Sequence, residues 1–459
     1  METDVKRQQG DSLIRVLMFT VMLSSMSALM FNIVLPEMSQ EFHLSIAQVS
    51  WISSAYTLIY AVGTVTYGKL ADKYKLKNVI TFGLALFGIG SLIGLTSDSF
   101  GMALAGRCIQ SAGAAAIPAT AMLIPVRYFA PERRGQALGM TATGLALGSA
   151  IGPIVSSLIV SVAHWRWLFA VPLLILLTLP LYRKHLSDER GTEGKFDWIG
   201  GLALALTVSL LLISVTNGGW WFTLGSLIAA LLFIARIRTA PEPFVQPALF
   251  GHKPYVVGVV VAFIINGIGL SLYFLSPLLL SQVHQLSPQW IGMALVPAAI
   301  ASAILGRKGG KLADLKGNAF LFHMASSLLI ACFILLSTFS GISPLSVSVI
   351  LILGNVGQSY MLITMSNSIS RTLTPKQMGV GMGMFSMLNF ISQAIATGSY
   401  SRILEIRASD SWNPFSLNPA GSMFSNIYLI LAGLHVLILV AHYFQSSLRK
   451  HGVEMKRQA

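Results

Sequence analysis

About fourteen apolar runs, each roughly as long as a bilayer is thick, recur along this 459-residue chain, from 13–35 to 424–446. An α-helix needs about 20 residues to cross the hydrocarbon core. Inside lipid every backbone N–H and C=O must find a partner within the protein, so runs of this length are expected to be helices. Composition excludes the soluble alternative: 54% of residues are hydrophobic and 10% are charged, against about 25% charged in soluble domains. Mean hydropathy is +0.70. The glycines and prolines within the runs are tolerated where neighbouring helices re-satisfy the backbone and small residues permit close packing. The expected class is an all-α polytopic membrane protein.

The net charge of +14 would suggest nucleic acid in a soluble chain, but these cations sit in short loops between the runs. There they orient the chain and meet anionic headgroups, so a lipid bilayer is the expected partner and nucleic acid is not. With the N-terminus inside, Lys69, Lys73, Lys75, Lys77, Arg127, Arg133, Arg134, Arg307, Lys308, Lys311, Arg371 and Lys376 fall in inside loops or at inside helix ends. Outside loops hold only Arg166, Arg402 and Arg407. The asymmetry predicts two cytoplasmic termini in a multi-pass protein of the plasma or inner membrane. The first run is too long for a signal-peptide core and is expected to remain as a helix. Cys108 and Cys332 lie in apolar runs without metal-like spacing or a disulfide framework. No nucleotide-binding glycine loop, metal cluster or nucleophile–base arrangement is visible, so neither enzyme activity nor a cofactor is expected.

The chain repeats itself. Gly68-Lys69-Leu70-Ala71-Asp72 recurs as Gly310-Lys311-Leu312-Ala313-Asp314, each copy closing an apolar run. Secondary transporters are commonly built from repeated halves, with the substrate held between them. The expected organisation is a six-helix bundle over residues 1–183, a linker with two extra helices over 184–253, and a second six-helix bundle over 254–459. In each repeat the glycine permits close helix approach, and the aspartate can cap a helix and pair with cations. Gly68, Asp72, Lys73, Gly310 and Asp314 are therefore candidate latch residues.

The loop from Gly68 to Lys77 resembles the signature between the second and third helices of the major facilitator superfamily, with Lys75 where that pattern has a glycine. Arg107 to Gly113 resembles the fourth-helix signature, with Ser111 in place of a glycine. Gly144, Gly148, Ser149, Gly152 and Pro153 resemble the fifth-helix exporter signature, whose closing glycine pair is here Ser156-Ser157. His164-Trp165-Arg166-Trp167, Phe196 to Gly200 and Pro241 to Phe250 resemble the fourteen-helix drug:proton antiporter branch. Met378 to Leu404 and the final run are most similar to the Gram-positive tetracycline exporters. The resemblance implies a major facilitator fold, a bacterial source, a monomer, proton coupling and export of a small drug-like molecule.

Arg107 lies within an apolar run, where a charge is costly and by default functional. The resemblance implies proton coupling and helix packing for it; satisfaction by helix-end carbonyls and Gln110 is the structural alternative. The exporter-signature residues have two readings as well, a flexible kink or close packing. None of the seventeen acids falls at the middle of a run. Ser27 and Ala28 stand near the position where related antiporters carry a first-helix acid, and Ser149 stands where tetracycline exporters carry a glutamate. Glu37, Asp72, Asp314, His323 and His435 remain as titratable groups. The cavity expected from these residues is polar and aromatic, with Asn32, Trp51, Tyr56, Gln110, Asn266, Tyr273, Asn355, Gln358, Asn367, Asn389 and Gln393 as candidate lining groups or interhelical hydrogen-bonders. The function expected is efflux of a drug-like compound, tetracycline first, by proton antiport with alternating access. A facilitator or exporter of a neutral or anionic metabolite and a non-transporting membrane sensor are the alternatives.

Overall fold

The apolar runs become helices because nothing else satisfies their backbone in lipid. The computed structural model describes residues 2–458 apart from 33, 45, 50, 187–196, 218, 375–376, 406–412 and 419–420. The long helices are α1 (Glu2–Met30), α2 (Trp51–Lys73), α3 (Leu76–Leu95), α4 (Phe100–Tyr128), α5 (Arg134–Val162), α6 (Trp165–His185) and α7 (Trp198–Asn217). They continue as α8 (Trp220–Thr239), α9 (Lys253–Gln282), α10 (Pro288–Lys316), α11 (Asn318–Phe339), α12 (Pro344–Ser370), α13 (Met378–Glu405) and α14 (Ser422–Gln458). No strand occurs among the described residues.

Thirteen of these helices are long and apolar enough to cross a membrane. The remaining one, α2, has 23 residues, but Tyr56, Tyr60, Tyr67 and the hydroxyls of Ser53, Ser54, Thr57, Thr64 and Thr66 lower its hydropathy. It is long enough to span, and its Tyr56, Thr64 and Tyr67 are buried.

The architecture is two six-helix bundles plus an inserted pair. In the first bundle α3 packs on α4, α1 on α5, and α2 on α4. In the second, α11 packs on α12 and α14, α10 on α12, and α9 on α13. The bundles meet along two seams, α2 against α13 and α5 against α10. Helix α5 presents a different small-residue face to each neighbour. Gly135, Gly139 and Thr143 face α10, whereas Gly144, Gly148 and Gly152 face α1. It thus packs within its own bundle and forms the boundary with the other.

The inserted helices α7 and α8 pack on each other, and α7 reaches both α2 and α13. Asp197 fastens this pair. Its Oδ1 accepts from Gly200 N at 3.1 Å and Arg236 Nε at 3.0 Å, and its Oδ2 accepts from Phe244 N at 3.1 Å. Beyond α8, the linker returns to α2: Lys69 Nζ donates to Pro243 O and Lys73 Nζ to Glu242 Oε2, each at 3.1 Å.

Candidate functional site

Both repeated aspartates lie on the seams. Asp72 ends α2 and reaches the N-terminus of α13, in the other bundle. Its Oδ1 accepts from Gly379 N at 2.8 Å and its Oδ2 from Val380 N at 2.9 Å. Those backbone donors belong to the first turn of a helix, which has no internal acceptor for them and carries a positive dipole end. Arg127 Nη2 pairs with Asp72 Oδ1 at 2.8 Å. Asp314 ends the membrane part of α10 and does the reciprocal thing. Its oxygens accept from Gly135 N and Gln136 N, both at 2.8 Å, at the N-terminus of α5. Each bundle therefore contributes one carboxylate and one open helix end.

Glycine makes these contacts possible. A Cβ on Gly68 would lie 2.3 Å from Gly379 O, and one on Gly310 would lie 2.1 Å from Gly135 O. The two backbones touch at both seams, which no larger residue permits. Farther along the same seams, Thr143 Oγ1 donates to Ala303 O at 2.9 Å. The ring of Tyr60 meets that of Phe390 at 5.0 Å.

Inside the first bundle, α4 carries Arg107 into complete burial. Its Nη1 donates to Gln110 Oε1 at 2.5 Å and Ser27 Oγ at 3.3 Å. Its Nη2 donates to Ser27 O at 2.9 Å and Ala28 O at 3.4 Å. The guanidinium lies over the Phe31 ring at 4.2 Å and the Tyr56 ring at 3.8 Å. Gln110 Nε2 donates onward to Ser91 Oγ at 2.7 Å. The arginine is thus held by neutral dipoles and aromatic faces. Arg107 Nε, Tyr56 Oη and Ser24 Oγ are buried without a hydrogen-bond partner.

The exporter-signature glycines line the α1 contact. A Cβ on Gly144 would lie 2.4 Å from Met18 O, on Gly148 2.2 Å from Met22 O, and on Gly152 3.0 Å from Met26 O. Spaced four residues apart, they form one groove facing the backbone of α1. Ser149 Oγ lies 2.9 Å from Ser25 Oγ. Pro153 lies in α5, and its side chain is outside the described residues.

The other candidate lining residues divide into those brought together and those held apart. Asn32 Oδ1 accepts from Ser53 Oγ at 2.6 Å, while Trp51, two residues before Ser53, is exposed. In the second bundle Asn266 Nδ2 donates to Asn389 O at 2.9 Å, tying α9 to α13. The Gln358 side chain lies over Gly269, and its Oε1 is buried without a partner. Gln393 is half-buried on the same helix as Asn389. Asn355 Nδ2 is spent on its own helix, at Leu351 O. Asn367 Nδ2 donates to Asn318 Oδ1 at 3.3 Å, near the end of α12, away from this group. Tyr273 lies two helical turns after Asn266 and so shares the face of α9 that meets α13; its side chain is 52% exposed there.

Among the remaining titratable groups, His323 Nδ1 lies 2.7 Å from Ala319 O, and Glu37 is half-buried in the short helix Leu35–Glu41. His435 is fully buried, with neither ring nitrogen hydrogen-bonded. No group of three or more metal-ligating side chains occurs among the described residues.

Several contacting residues carry no motif of their own. Arg127 and Ser27 are two. The donors Gly135, Gln136, Gly379 and Val380 contribute only backbone. The repeat held a usable signal, since two copies of one loop in two pseudo-equivalent halves imply two equivalent sets of backbone donors, one at each opposite helix start. Glu41 was not singled out either. It pairs with Arg166 Nη2 at 2.9 Å and His164 Nε2 at 3.2 Å, and accepts from Trp165 Nε1. These contacts absorb much of the His164–Trp167 motif at the face opposite Asp72. Burial alone would raise the Glu41 carboxyl, but the Trp165 and Arg166 contacts outweigh it and hold the group below its ordinary value.

Comparison with known proteins agrees with this architecture. The sequence profile described as Major Facilitator Superfamily matches residues 17–397. The chain is 23% identical over 390 residues to the "Riboflavin transporter RibZ" of Clostridioides difficile (strain 630), covering 83% of this chain and 85% of that protein. It is 25% identical over 392 residues to the "Lincomycin resistance protein LmrB" of Listeria innocua serovar 6a, covering 80% of each. Its fold is similar to that of the human organic anion transporter MFSD10 (TETRAN), with a TM-score of 0.68 and 15% identity over 94% of this chain and 98% of that one.

Proposed function

We propose that this chain, which belongs to the Major Facilitator Superfamily, is a secondary active exporter of drug-like organic compounds that works by alternating access with proton antiport. The observation that carries this reading is the reciprocal clasp. Asp72 caps α13 and Asp314 caps α5, so the halves are joined at one face by two equivalent, separable contacts. A rocking transporter needs this: a closed state held by a few directional bonds that can be exchanged for water. The basic loops lie at the clasped face, so the positive-inside rule assigns that face, with both termini, to the cytoplasm of a plasma or inner membrane. The conformation described here is then closed to the cytoplasm.

Relatives named for lincomycin resistance and riboflavin transport support a compact organic substrate. Tetracycline, the first candidate from sequence, is tested beside the compounds in those names. The substrate site we infer lies between the bundles, near Tyr60, Phe390, Asn266, Asn389 and Gln358. For the coupling proton, Arg107 with its shell, Asp72, Asp314 and His435 are the groups to test, because the described spans hold no carboxylate at mid-depth.

The test is flux in proteoliposomes with the purified protein, following tetracycline, lincomycin and riboflavin with and without an imposed pH gradient. Gradient-driven accumulation of any of them, abolished by a protonophore, is the expected result. Downhill flux unaffected by the gradient refutes antiport. Binding without flux refutes export and leaves a sensor.

A further inference from the structure

The surroundings of Arg107 are incomplete in a way that ordinary helix packing does not explain. The guanidinium is fully buried, yet its four hydrogen bonds go to two backbone carbonyls, one hydroxyl and one amide. No carboxylate pairs with it among the described residues. Burying a cation costs several kcal/mol unless it is paired. Beside this cation, Arg107 Nε has no hydrogen-bond partner, and the hydroxyls of Tyr56, whose ring covers the guanidinium, and of Ser24 lie near one another without a well-formed hydrogen bond. A buried donor left open beside an unpaired charge is costly, and such a group asks for a partner that the resting protein lacks.

All three atoms can donate a hydrogen bond. One fixed positive charge with two hydroxyls in its immediate surroundings is a receptor for an acidic group carrying a single negative charge. It is poorly matched to a cation, and it has too little charge for a phosphate dianion.

An access route is also present. Tyr56 covers the guanidinium and stacks on Tyr60 at 5.8 Å, and Tyr60 meets Phe390 of the opposite bundle at 5.0 Å. The aromatic series leads from the buried charge to the seam between the bundles. When the seam opens, Tyr60 loses Phe390, and Tyr56 can turn away from the arginine. The same rings offer a surface for the apolar body of a ligand.

We infer that Arg107, Tyr56 and Ser24 form a docking site for the carboxylate, or equivalent monoanionic group, of the transported compound. This rests on the export reading and deepens it: the substrates are amphipathic organic anions or zwitterions, with the substrate supplying the counter-ion that Arg107 lacks. Ser27 is the informative neighbour, because its hydroxyl and carbonyl both touch the guanidinium. A carboxylate built at that position competes with the ligand for the same charge.

The experiment compares 2-naphthoate with its uncharged isostere 2-naphthamide by calorimetric titration of the purified protein in nanodiscs. The wild type is expected to bind the carboxylate about tenfold or more tightly than the amide. Ser27→Asp is expected to remove that preference, and to raise the melting temperature by pairing the buried charge. Ser27→Asn, similar in shape but neutral, keeps the preference. The Ser27 variants leave Arg107 in place, so the test does not depend on an Arg107 variant that fails to fold. Equal affinities in the wild type, no binding of either probe, or a preference that survives Ser27→Asp overturns the site. Gradient-driven tetracycline export without carboxylate preference defeats this inference alone. Carboxylate preference without flux of any compound defeats the export reading alone.

Discussion

Replacing Asp72 with asparagine tests the clasp with a minimal change of shape. In the wild type, both carboxylate oxygens accept from backbone N–H groups, Gly379 at 2.8 Å and Val380 at 2.9 Å. Asparagine keeps one acceptor and turns the other into an NH₂ facing an N–H donor. At least one charge-assisted bond is lost, worth about 1.5–3 kcal/mol, and the Arg127 ion pair is lost with it. That bond alone lowers the closed-to-open ratio at this face by about ten- to a hundredfold. Asp314→Asn acts at the second seam with a similar effect, and the double variant combines both. The assay is double electron–electron resonance between spin labels at Asn78 and Thr374, both exposed, in a background with Cys108 and Cys332 replaced. The expected result is growth of a longer-distance population in each single variant and its dominance in the double variant. Distance distributions unchanged by the double variant would refute the reasoning, because the two carboxylates would then not hold the face closed.

Three further outcomes follow from packing and titration. Gly68→Ala puts a methyl group 2.3 Å from Gly379 O, so it should open the same face in the same spin-label assay. Gly101→Ala, with nothing within 4 Å of the added carbon, should leave the distances unchanged. Gly148→Ala places its methyl group 2.2 Å from Met22 O; the resulting overpacking should destabilise the α1–α5 contact by about 1–3 kcal/mol, read as a fall in melting temperature, and an unchanged melt would contradict it. Burial alone would raise the Asp197 carboxyl, but bonds from Gly200 N, Arg236 and Phe244 N hold it below its ordinary value. A carboxyl depressed in the fold stabilises above its unfolded pKa and loses that contribution as pH falls through the folded one. Asp197→Asn should therefore melt lower than the wild type at pH 7, and the gap should close as pH drops below about 4. A gap independent of pH would rule this out.

The sequence by itself determined the solvent of this protein and hence its helices, because apolar runs of bilayer length have no other way to satisfy their backbones. It also determined that there are two related halves, since Gly68–Asp72 and Gly310–Asp314 are written twice. A single buried arginine was legible too, as a charge inside an apolar run. What each residue touches was decided by tertiary structure. Asp72 was readable as a helix cap, but the helix it caps starts about three hundred residues later, at Met378, and only the packing of one bundle on the other brings them together. The glycines of α5 read as one signature yet face two partners. The side chosen depends on rotation about the helix axis, which a list of spacings leaves open until the neighbouring helices are in place. Polar residues were the least legible. Asn355 bonds its own helix, Asn266 ties α9 to α13, and Gln358 lies over Gly269 of α9, although all three are polar groups within apolar runs. Hydropathy records that such a group needs a partner; only the fold decides whether the partner is its own backbone, another helix or, at Arg107, a group left to a ligand.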